Sequence, residues 1–188
     1  MISSEIEELR LLLTPGGGGS GPEHWHHRWA ASDDRCTWVE QRSWTSGSRE
    51  DWVGALDRKV NEAESPAVLV AHSLGAVVAA HWSQTHSGPV VGALLVAPAD
   101  VEDDWVDPGS VYEQFRPIPR QPLNFPSVVV ASENDPLLVM ERAREFASAW
   151  GSKLEFVGPH LHLGSDAALD SWEQGRGILD RFLISIGH

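Results

Sequence analysis

Ser73, Asp135 and a histidine at 160 or 162 are the residues whose types and order could do covalent chemistry. Ser73 lies in Val68-Leu69-Val70-Ala71-His72-Ser73-Leu74-Gly75-Ala76-Val77-Val78. That stretch reads as a buried strand over 68–71, one sharp turn at the serine, and an apolar helix. Small residues stand two positions to either side, Ala71 and Gly75. This is the nucleophile-elbow pattern with Ala in place of the first Gly. A strand that reverses into a helix within one residue forces the serine backbone into a strained region. Bulky side chains two positions away would collide with the turn. The hydroxyl then sits at the strand end, facing the positive end of a helix dipole and its free N–H groups. A serine hydroxyl is a weak nucleophile and needs a base to take its proton. The base in turn needs a third group to fix its tautomer and stabilise the imidazolium. Asp135 follows a fifth apolar run in Ser132-Glu133-Asn134-Asp135-Pro136, and His160 and His162 follow a sixth in Gly158-Pro159-His160-Leu161-His162. Nucleophile, acid and histidine thus come in the order of the elbow-type hydrolytic site. Asp100, closing the fourth run, is the reserve acid. In an extended loop His160 and His162 would point to the same side, so alternation does not separate them.

The elements that must position these residues alternate along the chain. Strands are expected over 9–14, 36–41, 68–71, 90–97, 128–131 and 154–157. Between them, Trp52, Leu56, Val60 and Ala63 repeat at helical spacing behind Ser48-Arg49-Glu50-Asp51, a capping-box pattern with Asp as the acid. Met140, Ala143, Ala147 and Trp150 mark another helix, ended by Gly151. Ile178, Leu179, Phe182, Leu183 and Ile186 mark the last. Alternation of this kind means a parallel sheet covered on both faces.

The first strand runs into Pro15-Gly16-Gly17-Gly18-Gly19-Ser20-Gly21-Pro22. A Gly-rich loop there could cradle a dinucleotide phosphate, with Glu40 as the acidic partner. It could be a plain flexible loop, or it could lend a backbone N–H to an oxyanion. The elbow downstream favours the third use. Pro22 suits a helix N1 position, opening a helix on which Trp25 and Trp29 share a face. His24, His26 and His27 would diverge on that helix, which argues against a metal site. Residues 98–126 break the rhythm. Their Pro-rich part, 116–122, cannot be helical, and the segment crosses the strand ends as a candidate pocket wall or lid.

The totals narrow the classes. At 188 residues, 41% of them hydrophobic, the chain suits one domain over 1–188 with a sizeable core. Its net charge of −13, from 27 acidic and 14 basic residues, argues against nucleic acid as a partner. No apolar run reaches membrane-spanning length. The acidic start Met1-Ile2-Ser3-Ser4-Glu5 lacks the pattern of a secretory leader, and the lone Cys36 can form no internal disulfide. A cytoplasmic protein is expected, with the nine Trp in core and pocket lining.

From about Leu11 to Gly175 the chain resembles the small bacterial serine hydrolases of the YdeN type, relatives of retinoblastoma-binding protein nine. The carriers are Pro15-Gly16 through Ser20-Gly21-Pro22-Glu23-His24-Trp25, Glu40-Gln41 with Trp44, and Ala71-His72-Ser73-Leu74-Gly75. Further on they are Ala97-Pro98, Phe115-Arg116-Pro117-Ile118-Pro119 and Ala131-Ser132-Glu133-Asn134-Asp135-Pro136. The resemblance implies a three-layer, Rossmann-like α/β-hydrolase fold with a central, mostly parallel sheet of about six strands. It implies a Ser-Asp-His triad, no metal and no cofactor. It also selects the base. In the family that histidine stands ten residues before a Trp that a Gly follows by three, and Trp172 and Gly175 then give His162. The chain departs from the family where Gly-His-Ile-Asn becomes Leu161-His162-Leu163-Gly164, and where the Pro after the final Trp becomes Glu173.

The expected activity is hydrolysis of an ester, thioester or amide, above all a small carboxylic ester. Ser73 is the nucleophile, His162 the base, Asp135 the orienting acid, and the N–H groups of Gly17 and Leu74 the oxyanion donors. The expected partner is a small-molecule acyl substrate. The alternatives are a catalytically weak binding or scaffold protein on the same fold, and a nucleotide-binding protein using the Gly-rich loop.

Overall fold

The computed structural model describes residues 8–188. The acidic start on which the leader reading rests lies outside them. Six strands form one sheet in the order β2-β1-β3-β4-β5-β6. They are β1 (Arg10–Thr14), β2 (Cys36–Trp38), β3 (Ala67–His72), β4 (Val90–Val96), β5 (Ser127–Ala131) and β6 (Lys153–Phe156). Every neighbouring pair is parallel. The fold class is therefore the α/β-hydrolase type expected, with β3 and β4 at the centre. Both are apolar runs because both of their faces are covered.

Five helices do the covering: α1 (Trp25–Ser32), α2 (Arg49–Val60), α3 (Leu74–Thr85), α4 (Met140–Trp150) and α5 (Glu173–Ser185). Strand alternation splits the core in two. Leu12, Leu69, Ala71, Leu95 and Val129 face Trp52, Val77, Trp82, Phe146 and Trp150 from α2, α3 and α4. Leu11, Leu13, Val68, Val70, Leu94 and Val130 face Trp25, Trp29, Leu179 and Phe182 from α1 and α5. Helix α3 is buried on nearly every side, so it is apolar all round rather than striped. The capping box forms: the Ser48 hydroxyl accepts from the Asp51 N–H, and Asp51 accepts from the Ser48 N–H. Gly151 closes α4 in the left-handed region at φ 69°.

Several boundaries differ from the sequence reading. β2 ends at Trp38 rather than at residue 41, because it is an edge strand whose only neighbour is β1. Helix α1 begins at Trp25, and Pro22 lies in the preceding turn rather than at N1. His24 caps that helix, its Nδ1 accepting the His26 N–H. Ala63 is exposed beyond the end of α2, and Met140 is exposed at the start of α4. Helix α4 begins at Met140, the first of the residues that marked it.

Residues 98–126 form an ordered wall carrying one short 3-10 turn at Val111–Phe115. An ion-pair network ties that wall to α4. Arg142 bonds Asp100 at 2.7 and 3.0 Å and also pairs with Glu102 and Glu145, and Arg120 bonds Glu102 at 2.6 Å and Glu145 at 2.9 Å. Among the described residues no helix is long and apolar enough to cross a membrane.

Candidate active site

Ser73 sits between β3 and α3 with φ 56° and ψ −123°, a strained conformation for a residue with a side chain. The flanking small residues have steric causes. A Cβ at Gly75 would run into the carbonyl oxygens of Thr14 and Pro15, where the end of β1 passes over the start of α3. A Cβ at Gly16 would lie 2.7 Å from the Ser73 Cβ and 3.1 Å from the Leu74 nitrogen. The Gly-rich loop therefore lies directly against the elbow.

The loops after β5 and β6 bring the other two residues in. His162 Nε2 is 2.8 Å from Ser73 Oγ. His162 Nδ1 lies 2.9 and 2.8 Å from the two Asp135 oxygens. A carboxylate only accepts, so the ring proton is on Nδ1 and Nε2 is free to accept from the serine hydroxyl. The Asp135 side chain is fully buried, and its Oδ1 also accepts the Leu137 N–H at 2.8 Å, which fixes its plane. Asp100, the reserve acid, is occupied by Arg142 instead. The hydrogen bond to Ser73 Oγ comes from His162 and not from His160. The loop is not extended here: Leu161 and Leu163 stand at φ 50° and 54°, so the two histidines do not share a side. Leu161 thus takes the left-handed conformation that Gly adopts without strain.

The N–H groups of Gly17 and Leu74 make no hydrogen bond to a protein acceptor among the described residues, whereas Gly18 donates to Trp44 O and Gly19 to Gly16 O. The Tyr112 ring lies against Gly17, leaving no space for a Cβ there. Burial raises the pKa of its phenol, so it stands neutral over the loop. Trp44 covers Gly19, and Glu40 is exposed. A cavity of about 960 Å³ opens elsewhere, between α2, α3 and Pro117–Gln121, and includes none of Ser73, Asp135 and His162.

The helix-borne histidines depart from expectation. His24 and His26 do not diverge: their ring centroids are 4.7 Å apart, because His24 is the cap rather than a helical residue. Only His27 points out. Among the described residues no group of three or more His, Cys, Asp or Glu could hold a metal.

A family model described as serine hydrolase matches residues 11–181. The chain belongs to the serine hydrolase family. A protein described as a YdeN-like hydrolase from Pectobacterium atrosepticum shares 32% identity over 95% of this chain and 92% of its own, with a TM-score of 0.85. The ydeN gene product from B. subtilis shares 18% over 94% and 99%, with a TM-score of 0.68. The esterase RhEst1 from Rhodococcus sp. shares 13% over 95% and 91%, with a TM-score of 0.69, a likeness of fold. No curated protein matches the sequence. This serine hydrolase is thus of the YdeN type. Its relation to retinoblastoma-binding protein nine rests on the sequence resemblance alone.

Sequence reasoning gave no role to four residues that hold this serine hydrolase's site together. Ser132 Oγ donates to Asn134 Oδ1 at 3.0 Å and accepts the His160 N–H at 2.8 Å. Asn134 Oδ1 accepts the Leu161 N–H at 2.8 Å. Those two side chains tie the acid loop to the base loop. Trp25 Nε1 donates to Leu163 O at 2.9 Å, and His72 Nε2 lies 2.8 Å from His162 O. A polar side chain next to the elbow, and polar residues just before Asp135, were the available signals.

Proposed function

We propose that this hydrolase cleaves a small carboxylic ester through an acyl-enzyme on Ser73. The observation that carries the reading is the unbroken chain Asp135–His162–Ser73, with every link between 2.8 and 2.9 Å. His162 Nε2 takes the Ser73 proton as Oγ attacks the acyl carbon. The oxyanion that forms is held by the Gly17 and Leu74 N–H groups, with the α3 dipole behind Leu74. Asp135 keeps the proton on Nδ1 and stabilises the imidazolium. That imidazolium protonates the leaving alkoxide, and the same nitrogen then activates a water to release the acid. Thioesters and amides fit the same steps with a different leaving group. Two features favour a short acyl chain: Ser73 is only 5% exposed, and Tyr112 stands over the oxyanion loop. The esterase activity named for RhEst1, on the same fold, favours an ester. A reducing cytoplasm suits the lone Cys36, whose thiol burial pushes up to about 11.

A fluorophosphonate probe and p-nitrophenyl esters of rising chain length test this. The wild type labels at Ser73 and turns over short chains fastest. Ser73→Ala loses labelling, and its turnover falls by roughly 10⁴ to 10⁶. Labelling that persists at another serine in that variant would overturn the assignment. A folded wild type that neither labels nor turns over would favour the binding-protein alternative.

A further inference from the structure

His72, beside the nucleophile, and His24, capping α1, belong to no step of the reaction above. Both are buried. Their nitrogens form a chain whose proton positions are fixed from both ends. The His26 backbone N–H can only donate, and it donates to His24 Nδ1 at 3.1 Å. In a neutral ring the proton is then on His24 Nε2. That atom is 3.2 Å from His72 Nδ1, which must accept. The His72 proton is therefore on Nε2, which lies 2.8 Å from His162 O. A carbonyl can only accept, so the far end demands the same tautomer as the near end. Protonating either ring would set an N–H against an N–H.

The base loop needs such a holder. His162 lies between two leucines at φ 50° and 54°, and strained backbone persists only where its surroundings over-determine it. Ser132, Asn134 and Trp25 bond residues 160, 161 and 163. His72 is the side chain that bonds the backbone of His162 itself.

We propose that His72 and His24 are positioning residues: a relay of two neutral imidazoles that fixes the His162 carbonyl, and with it the height of the His162 ring over Ser73. Because His72 adjoins Ser73 in sequence, one short link sets both ends of the nucleophile–base contact. Burial supports the neutral state, holding His24 far below the usual histidine range and His72 at about 3, with His162 adding repulsion at His72. The ionisable groups facing the pair are His26 and His27 from α1 and His162 from the base loop. The proposal rests on His162 being the base.

Two measurements test it on the full chain. In ¹⁵N-histidine-labelled protein, two-bond ¹H–¹⁵N spectra should show His24 and His72 as neutral Nε2–H tautomers throughout pH 6–8. An Nδ1–H tautomer, or titration of either ring in that range, would overturn the relay. In ester turnover, His72→Leu should lower kcat about 10- to 100-fold with KM changed less than about twofold, as misplacement of a reacting group does. His72→Gln, whose amide nitrogen can still donate to the carbonyl, should recover kcat to within about threefold of wild type. Equal loss in both variants, or full kcat in His72→Leu, would refute the positioning role. Should His72→Leu not fold, His72→Gln and the tautomers still decide. His162→Ala separates the two readings. If it keeps full turnover, the assignment of the base has failed. If it is inactive while His72→Leu is unimpaired, the relay alone has failed.

Discussion

Lowering the pH from 7.5 to 5.5 should cost this fold a few kcal/mol, on the order of 1 for each of three histidines that take no part in bond making. His24, His26 and His72 are all buried, and burial is the first cause holding each below the ordinary range, His72 at about 3. In the unfolded chain each titrates near 6.5. Their folded pKa values are depressed, so the unfolded state binds more protons below neutrality and stability falls as the pH falls. The contribution is intact above about 6.5 and for His72 is lost progressively down to about 3. Between pH 7.5 and 5.5 linkage gives on the order of 1 kcal/mol for a group held far below 6.5, hence a few kcal/mol for the three. That is a large share of the 5–15 kcal/mol typical of a domain. His81, also lowered by burial, acts in the same direction. Asp33 and Glu102 are depressed as well, but their windows lie below about 4.5, the ordinary carboxylate range, so they do not enter this interval. Guanidinium unfolding followed by tryptophan fluorescence at the two pH values, at constant ionic strength, measures the difference. His72→Gln should remove on the order of 1 kcal/mol of it. A wild-type difference under about 1 kcal/mol, or a slope unchanged in His72→Gln, would refute the reasoning.

Three further substitutions probe the acid and the base loop. Asp135→Asn should keep the fold and lower ester turnover by about 10⁴ through the wrong imidazole tautomer. Asp100→Asn should leave turnover within a fewfold and cost on the order of 2 kcal/mol in denaturant unfolding, because it weakens the bonds to Arg142. The reverse ranking in the turnover assay would move the acid to the end of β4. Leu161→Gly should raise stability by about 0.5 kcal/mol: relief of the left-handed strain outweighs the extra freedom of an unfolded glycine. A lower unfolding midpoint in that variant would show that the half-exposed leucine is held by packing instead.

The parts of this fold that chemistry repeats were legible in the sequence. The elbow, the capping box, the glycine stop of α4 and the buried strands each carry a local cause within a few residues. The site was legible where order along the chain constrains it: Ser73, Asp135 and His162 come together. What escaped depends on contacts across the sheet. Nothing within ten residues of His24 shows that its ring will meet His72, 48 positions away. The cap role of His24, which turns its ring back towards His26, was hidden because Pro22 offered a competing helix start. The ion-pair network was not legible either, since it closes only when Arg142 of α4 meets Asp100 and Glu102 and Arg120 meets Glu145, contacts between segments some 25 to 42 positions apart.

One spacing used as a resemblance turns out to have a mechanical cause. Trp172 and Gly175 pointed to His162 by counting, and in the structure they bear on its loop physically. Trp172 adopts φ 45° at the start of α5, and its ring lies on Gly175 with no room for a Cβ. That ring packs against Trp25, centroids 4.8 Å apart, and stacks on Trp29 at 6.2 Å and 17°. Trp25 in turn donates its Nε1–H to Leu163 O, one residue beyond the base. The backbone after His162 therefore hangs from an aromatic cluster that needs a Trp and a Gly three apart. The distance from base to Trp is the length of loop that must run from that hydrogen bond back to α5. Inserting or deleting residues between 163 and 172 would strain this hanger before it touched any reacting atom. That is why a count of residues could point to His162 although its own flanking residues had changed.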